Sequence, residues 1–406
     1  MSRRTLLCGH QPGFHHPGIL AKRITQHARA TAEGVESTWI LVDQDVGDPG
    51  AIRYPDRNEK GELVDRTWHV TRHEKGHPTG TAPWTDAPSE PPDVSPDMPA
   101  SVSRGLQEIH DSLHAAEGET LAERFHDAQE RLLQRRLEDM VGPAPTPLRA
   151  TTILRTEAGR SILSSILEAP EDCALAWNRA GTLVPRAARA LRIDRIDPLR
   201  TEIPCWTLDE AGRRIPATVE DLRRYLDGEG VLHPRAFLMT AVARSSSSLP
   251  MIHGTGGGRY ELVTDRWASE FLGLELPPVS VCTADLRLPL EAPEGESEEI
   301  DPHEALRRLE HDPWPGETTK RDLAEAIRLA PRRSAKRRRL FDALQVALSS
   351  ERSRLGSRLD TLRERSLARN LHSGQRRVAA ERTWPWPLHE DDALRRLPLR
   401  MQEPET

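Results

Sequence analysis

The stretch Thr5-Leu6-Leu7-Cys8-Gly9-His10-Gln11-Pro12-Gly13-Phe14-His15-His16-Pro17-Gly18-Ile19-Leu20-Ala21-Lys22-Arg23 decides how this chain is read. Thr5 to Cys8 reads as a short buried strand. Gly9 to Pro17 mixes glycine, proline and histidine and reads as a loop. A helix then starts near Pro17 or Gly18 and runs to about Ala32, since the N–H that proline lacks would be unpaired in the first turn anyway. Thr38-Trp39-Ile40-Leu41-Val42 is a second buried strand, ending in Asp43-Gln44-Asp45-Val46-Gly47-Asp48. Strand, helix and strand make a βαβ unit. Ligands of such sheets sit outside the carboxyl ends of the strands, where His10, His15, His16, Asp43 and Asp45 fall. The free N–H groups of the helix start favour an anion at the same place.

The pattern recurs downstream. Leu249-Pro250-Met251-Ile252-His253 is a buried strand, Gly254-Thr255-Gly256-Gly257-Gly258-Arg259-Tyr260-Glu261 a glycine-rich loop, and a helix is expected from about Leu262 to Leu272. Val279 to Thr283 is a further strand. The expectation is one parallel sheet over strands near 4–9, 38–43, 249–253 and 279–283, with His10, Asp43 and His253 at its carboxyl edge. The fold class is therefore α/β, a Rossmann-like parallel-sheet core with a helical insertion and a C-terminal α-helical coiled coil. Residues 1–79 and 201–290 form the two halves of the core.

Residues 80–200 read as a largely helical connective insertion. Leu106, Ile109, Leu113, Leu121, Phe125, Leu132, Leu133 and Leu137 recur at helical spacing. A strand is expected over Thr151–Leu154 and short helices over 157–167 and 186–191. Residues 291–373 form the coiled-coil region. An acidic linker at 291–300 and helices at 302–309 and 319–329 precede one long charged helix over about 332–371. Leu340, Leu344, Leu348, Leu355, Leu359 and Leu362 draw a narrow apolar seam along that helix. The seam implies a homodimer through the coiled coil. Residues 374–406, with Trp384-Pro385-Trp386-Pro387, read as a segment packing back on the core.

Composition excludes several classes. Charged residues make up 30% and apolar residues 36% of the 406, and the net charge is −6. Mean hydropathy is −0.62. The balance gives no reason to expect a polyanion partner. Lys336-Arg337-Arg338-Arg339 is a basic cluster, but Glu351, Asp360 and Glu364 alternate with arginine further along, so a solvated face is read there and no nucleic-acid site. No apolar run approaches the roughly 18 residues that span a bilayer. Cys8, Cys173, Cys205 and Cys282 lie far apart, which supports neither a zinc ribbon nor a disulfide framework. Reduced thiols point to a cytoplasmic protein.

The order of parts resembles the cysteine-adding enzyme family of bacillithiol biosynthesis, the BshC family, of which the chain looks like a divergent member. His10-Gln11-Pro12-Gly13 with Pro17-Gly18 is similar to that family's opening loop. Trp39-Ile40 with Asp43-Gln44-Asp45 is similar to its Trp-Ile strand and acidic cluster, Gly256-Gly257-Gly258-Arg259-Tyr260-Glu261 to its later glycine segment, and Gly374 with Glu381-Arg382 to its closing segment. The resemblance implies a class I synthetase-like core and a ligase joining a cysteine-like amino acid to a small amine or amino-sugar acceptor. It also implies that a nucleotide, with ATP or ADP the candidate, can occupy a site in the coiled-coil region.

The candidate catalytic residues are Asp43, Asp45 and His253. Carboxylates two apart share a side if the strand continues, and could hold a substrate ammonium or a metal ion. The alternative is a turn in which Asp43 and Asp48 cap the backbone. His253 could be a general acid or base, or a core histidine bonded to a carbonyl. The candidate substrate-binding residues are His10, Gly13, His15, His16, Gly254, Gly256, Gly257, Tyr260 and Glu261. His15-His16 resembles the histidine loop that class I synthetases lay against ATP phosphates. The glycine run is either a cradle for an oxyanion or a plain loop. No residue is assigned as a metal ligand.

Overall fold

A computed structural model describes residues 4–293, 305–307, 309 and 318–402. The chain is mixed α/β. Strand β1 (Thr5–His10) leads through helix α1 (Pro17–Glu33) to strand β2 (Glu36–Leu41). β1 and β2 pair in parallel from Thr5↔Glu36 to His10↔Leu41. Helix α1 is bounded as its sequence dictates. The His16 imidazole caps its start, Pro17 opens its first turn, and Gly34 ends it at φ 61°. A hairpin of β3 (Ala51–Arg57) and β4 (Leu63–His69) follows, then α2 (Ala100–Ala115) and α3 (Leu121–Val141).

Strand β5 (Thr146–Arg149) pairs in parallel with β2, from Thr38↔Thr146 to Leu41↔Arg149. The region expected as an insertion therefore supplies a strand of the first sheet. Pro147, which has no N–H to donate, suits this edge position. The strand expected at Thr151–Leu154 is instead a tight helical turn, Ala150–Arg155. Helices α4 (Glu157–Glu168) and α5 (Pro170–Gly181) follow. The helix expected over 186–191 does not form; Arg186 adopts φ 66°, which no right-handed helix admits.

A small antiparallel sheet then intervenes: β6 (Glu202–Leu208), β7 (Arg214–Thr218) and, after α6 (Val219–Leu226), β8 (His233–Pro234), in the order β7-β6-β8. Helix α7 (Ala236–Ser245), strand β9 (Met251–His253), helix α8 (Thr255–Trp267) and strand β10 (Val279–Thr283) complete the second half. Towards the C-terminus come α9 (Thr318–Leu329), α10 (Ala335–Arg354), α11 (Gly356–Ala380), α12 (Asp391–Arg395) and β11 (Arg400–Gln402). β9 and β10 pair in parallel, whereas β10 and β11 pair antiparallel.

The expected single sheet is thus two three-stranded sheets, β1-β2-β5 and β9-β10-β11. β9 lies beside β1, but no ladder joins them. The reason lies in side chains that take the carbonyls on that edge of β1. The Ser247 hydroxyl donates to the Thr5 carbonyl at 2.6 Å, and the Lys22 ammonium donates to the Gly9 carbonyl at 2.7 Å. Both carbonyls point away from β2 by the alternation of the strand.

The chain divides into two units, the first of Met1–Asp56, Asp65–Pro289 and Glu381–Thr406, the second of Arg57–Val64 and Leu290–Ala380. In the first, Leu6, Cys8, Ile40, Leu106, Leu154, Leu238 and Trp267 are completely buried. Its C-terminal segment carries Trp384, Trp386 and Leu388, all buried. The Arg136 guanidinium lies 5.1 Å from the Trp386 ring and donates to the Pro387 and His389 carbonyls. The Pro387 carbonyl passes so close to Gly105 that a Cβ there would stand 2.4 Å from it. In the second unit the long helix expected over 332–371 is two helices, α10 and α11, that meet at Leu355 and Gly356, where glycine weakens the helix. Leu348 and Leu359 are buried, and Leu340, Leu344, Leu355 and Leu362 are partly so. The acidic linker and the helix expected over 291–309 lie largely outside the described residues. Among those described, no helix is long and apolar enough to cross a membrane.

Candidate functional site

Helices α1 and α8 each follow a parallel strand, and both begin at the carboxyl ends of β1 and β9. Their N-termini open on a crevice of about 370 Å3 that runs between these strands. His10, His16, Lys22, His253, Thr255, Gly256, Gly257, Glu261 and Arg382 supply its polar walls, and Ile19, Ile40, Val42, Phe237, Met239 and Met251 its apolar ones.

Lys22 is the residue that sequence reasoning missed. It is 3% exposed, its ammonium donates to the Gly9 carbonyl, and among the described residues no carboxylate lies within ion-pairing distance. Burial lowers its pKa. Its spacing held the signal: Lys22 follows Gly18 by four and Ile19 by three, on the face of α1 that must pack inward. The apolar half of its stem hides a charge inside that face.

The histidines of the crevice are neutral near pH 7. Burial pushes His253 down to about 3, helped by the charges of Lys22 and Arg244. Burial also holds His10 well below its usual value, with His15 and Lys22 adding to the effect. His10 Nδ1 and His253 Nε2 are buried without a hydrogen-bond partner. His253 Nε2 stands 3.4 Å from Glu261 Oε1. Glu261 is held in place by Arg244, whose guanidinium donates at 2.6 Å. Arg244 also pairs with Asp265 and donates to the Pro277 carbonyl, so one buried cation fixes α7, α8 and the approach to β10.

The glycine segment is not a loop. Helix α8 starts at Thr255 rather than near Leu262, so Gly256 to Glu261 form its first turns. None of Gly256, Gly257 and Gly258 has positive φ. Gly257 and Gly258 are needed for approach: a Cβ on Gly257 would lie 2.2 Å from His253 Nδ1, and one on Gly258 2.4 Å from Val281 Cγ2. Gly256 has open space where its Cβ would be. Gly254, the N-cap, has no side chain to cap α8, and Thr255, Gly256 and Gly257 of its first turn line the crevice.

The structure brings together His10, His16, His253, Gly254, Gly256, Gly257, Tyr260 and Glu261 around this crevice. It leaves four candidates outside. Asp43 is buried elsewhere and accepts from the Thr151 N–H at 2.8 Å and the Thr151 hydroxyl at 2.6 Å. Its carboxylate ties the end of β2 to the turn after β5, and burial raises its pKa. Asp45 accepts from the Gly47 N–H and lines a neighbouring cavity. The two do not share a side because β2 ends at Leu41 and the chain turns there, with the Asp43 N–H bonded to the Leu41 carbonyl. His15 is anchored by Gln129 and the Gln11 carbonyl. Gly13, at φ 135°, shapes the loop against Pro49. Among the described residues no group of three His, Cys, Asp or Glu could hold a metal ion.

A scan against protein-family models finds no match to this chain, and a search of curated proteins finds none either.

Proposed function

We propose that this chain is a small-molecule ligase with a Rossmann-like core, of the bacillithiol cysteine-adding type, whose acidic reactant or nucleotide lies in the crevice between β1 and β9. The observation that carries the reading is the meeting of the uncapped α8 N-terminus with a buried lysine that, among the described residues, has no carboxylate partner. A helix start with open N–H groups and an ammonium without a carboxylate both favour negative charge. Two parallel sets support the core: β5-β2-β1 in the first sheet and β9-β10 in the second, with β9 beside β1 where the chain order changes direction. His10 and His253, held neutral by burial, are weak bases near pH 7 and are candidates to hydrogen-bond a reactant rather than to deprotonate an attacking amine.

The donors fit the phosphate of ATP or ADP, which would rest on the N–H groups of α8 with Lys22 beside it. Such a nucleotide would supply a leaving group for an acyl transfer. With Asp43 and Asp45 outside the crevice, an ammonium group finds only Glu261 there. A non-catalytic binding protein is the second reading, favoured because Glu261 is already engaged by Arg244. The leucine seam of α10 and α11 further supports a homodimer through a coiled coil.

The test is calorimetric titration of ATP, ADP, cysteine and amino sugars, followed by assay for a coupled product. Binding of an anionic member with product formation supports the ligase. Binding without product favours the second reading. No binding of any of them removes both.

A further inference from the structure

A second cavity, of about 250 Å3, adjoins the crevice, and the two share Gln11, Val42, Ala236 and Phe237 as walls. They are chambers of one cleft, with the exposed Gln11 at the neck. The second chamber has three arginines in its wall, Arg189, Arg214 and Arg235, with the carboxylate of Asp45; Glu202 behind the wall pairs with Arg189 at 3.2 Å and with Arg235 at 3.5 Å. Arg214 and Arg235 lie 4.6 and 4.3 Å from the ring of Trp206. Stacking fixes the plane of a guanidinium and leaves its edge for an acceptor.

The edge of Arg214 is not fully used. Arg214 donates one bond, to the Gln44 carbonyl at 2.7 Å, and among the described residues has no carboxylate within ion-pairing distance. Arg235 is already engaged: it pairs with Glu202 at 3.5 Å and donates to the Cys205 and Arg189 carbonyls. Arg214 is the guanidinium left, among the described residues, without a carboxylate, and a planar carboxylate matches its fork. Trp177, Ala187 and Ala188 close the chamber with apolar surface.

We propose that the second chamber binds the carboxylate of a second small reactant, whose other end reaches the crevice past Gln11. Its role as a second reactant rests on the reading of the crevice as a small-molecule site; the binding itself does not. The chamber favours a short aliphatic acid over a large planar one, since both guanidinium planes are already committed to Trp206.

Succinate is the probe, and Trp177 and Trp206 in the chamber wall provide the signal. Full-length protein should show a saturable change in tryptophan emission with succinate. Arg214→Gln removes the charge, and Ala188→Phe fills the space while leaving every arginine in place. Both should weaken succinate at least tenfold, with ATP affinity in calorimetry kept within twofold. Absence of a saturable response in wild type, or unchanged succinate affinity in both variants, overturns the proposal. If ATP fails to bind wild type while succinate binds in an Arg214-dependent way, the crevice reading falls and the second chamber stands.

Discussion

Lys22 and Asp43 show how a residue's role follows from its partners. Lys22 spends a buried charge on one carbonyl, which is unfavourable unless the site needs a cation. Lys22→Met should therefore leave the thermal midpoint unchanged or raised, and weaken an anionic ligand by about 10–150-fold, the worth of a hydrogen bond to a charged group. Asp43 is the opposite case. Asp43→Ala should strand the Thr151 N–H and hydroxyl and lower stability by about 2–4 kcal/mol, measured by urea unfolding, with ligand affinity unchanged. The residue types of the crevice were legible where glycine and histidine cluster after a strand. Lys22 was hidden because a lysine within a helical pattern reads as a solvated face. Asp43 was misplaced because alternation was carried beyond Leu41, where the strand ends.

Helix α8 is the element on which the site turns, and its glycines act through contact rather than through unusual dihedrals. Gly257→Val should drive its side chain into His253 and abolish binding in calorimetry; binding retained at wild-type affinity would show that α8 does not line the ligand. The start of helix α3 offers a control, since Thr120 does not line the crevice. Thr120 and Glu123 form a reciprocal capping box at its start, so Thr120→Ala should cost about 1 kcal/mol in urea unfolding with no effect on binding. In the second unit, the seam from Leu340 to Leu362 should hold two copies together. Sedimentation should give a dimer that Leu355→Glu dissociates; a wild-type monomer across the concentration range would remove that assembly. The helices of residues 100–141 were legible because apolar spacing near three and four persists for many turns. The antiparallel sheet at 202–234 was not: its strands are short, mix polar with apolar residues, and owe their form to neighbours.

At the scale of the whole molecule, one expected sheet became two because Ser247 and Lys22 occupy the carbonyls through which β1 would have joined β9. Sequence periodicity carries strands but not which carbonyls a distant side chain will take. The separation opens the crevice, so the break in the sheet and the site are one feature. Buried histidines set the acid response. His15 and His253 are pushed down to about 3, and His126, His233 and His389 to about 4, in each case by burial first. The unfolded chain binds these protons from near pH 6.5, the folded chain only near the depressed values. Stability is therefore fully present above about pH 6.5 and falls as pH drops toward 4, by up to about 1.4 kcal/mol per unit for each histidine. Urea midpoints taken from pH 7.5 to 5 should decrease; a flat profile would contradict neutral, buried imidazoles. The central claim, an anion seated between β1 and β9, is tested most directly by calorimetric titration of ATP into wild type and Lys22→Met at pH 7.5. Saturable binding to wild type, weakened at least tenfold in the variant at an undiminished thermal midpoint, is the predicted result. No binding to wild type, or equal affinity for both proteins, would contradict it.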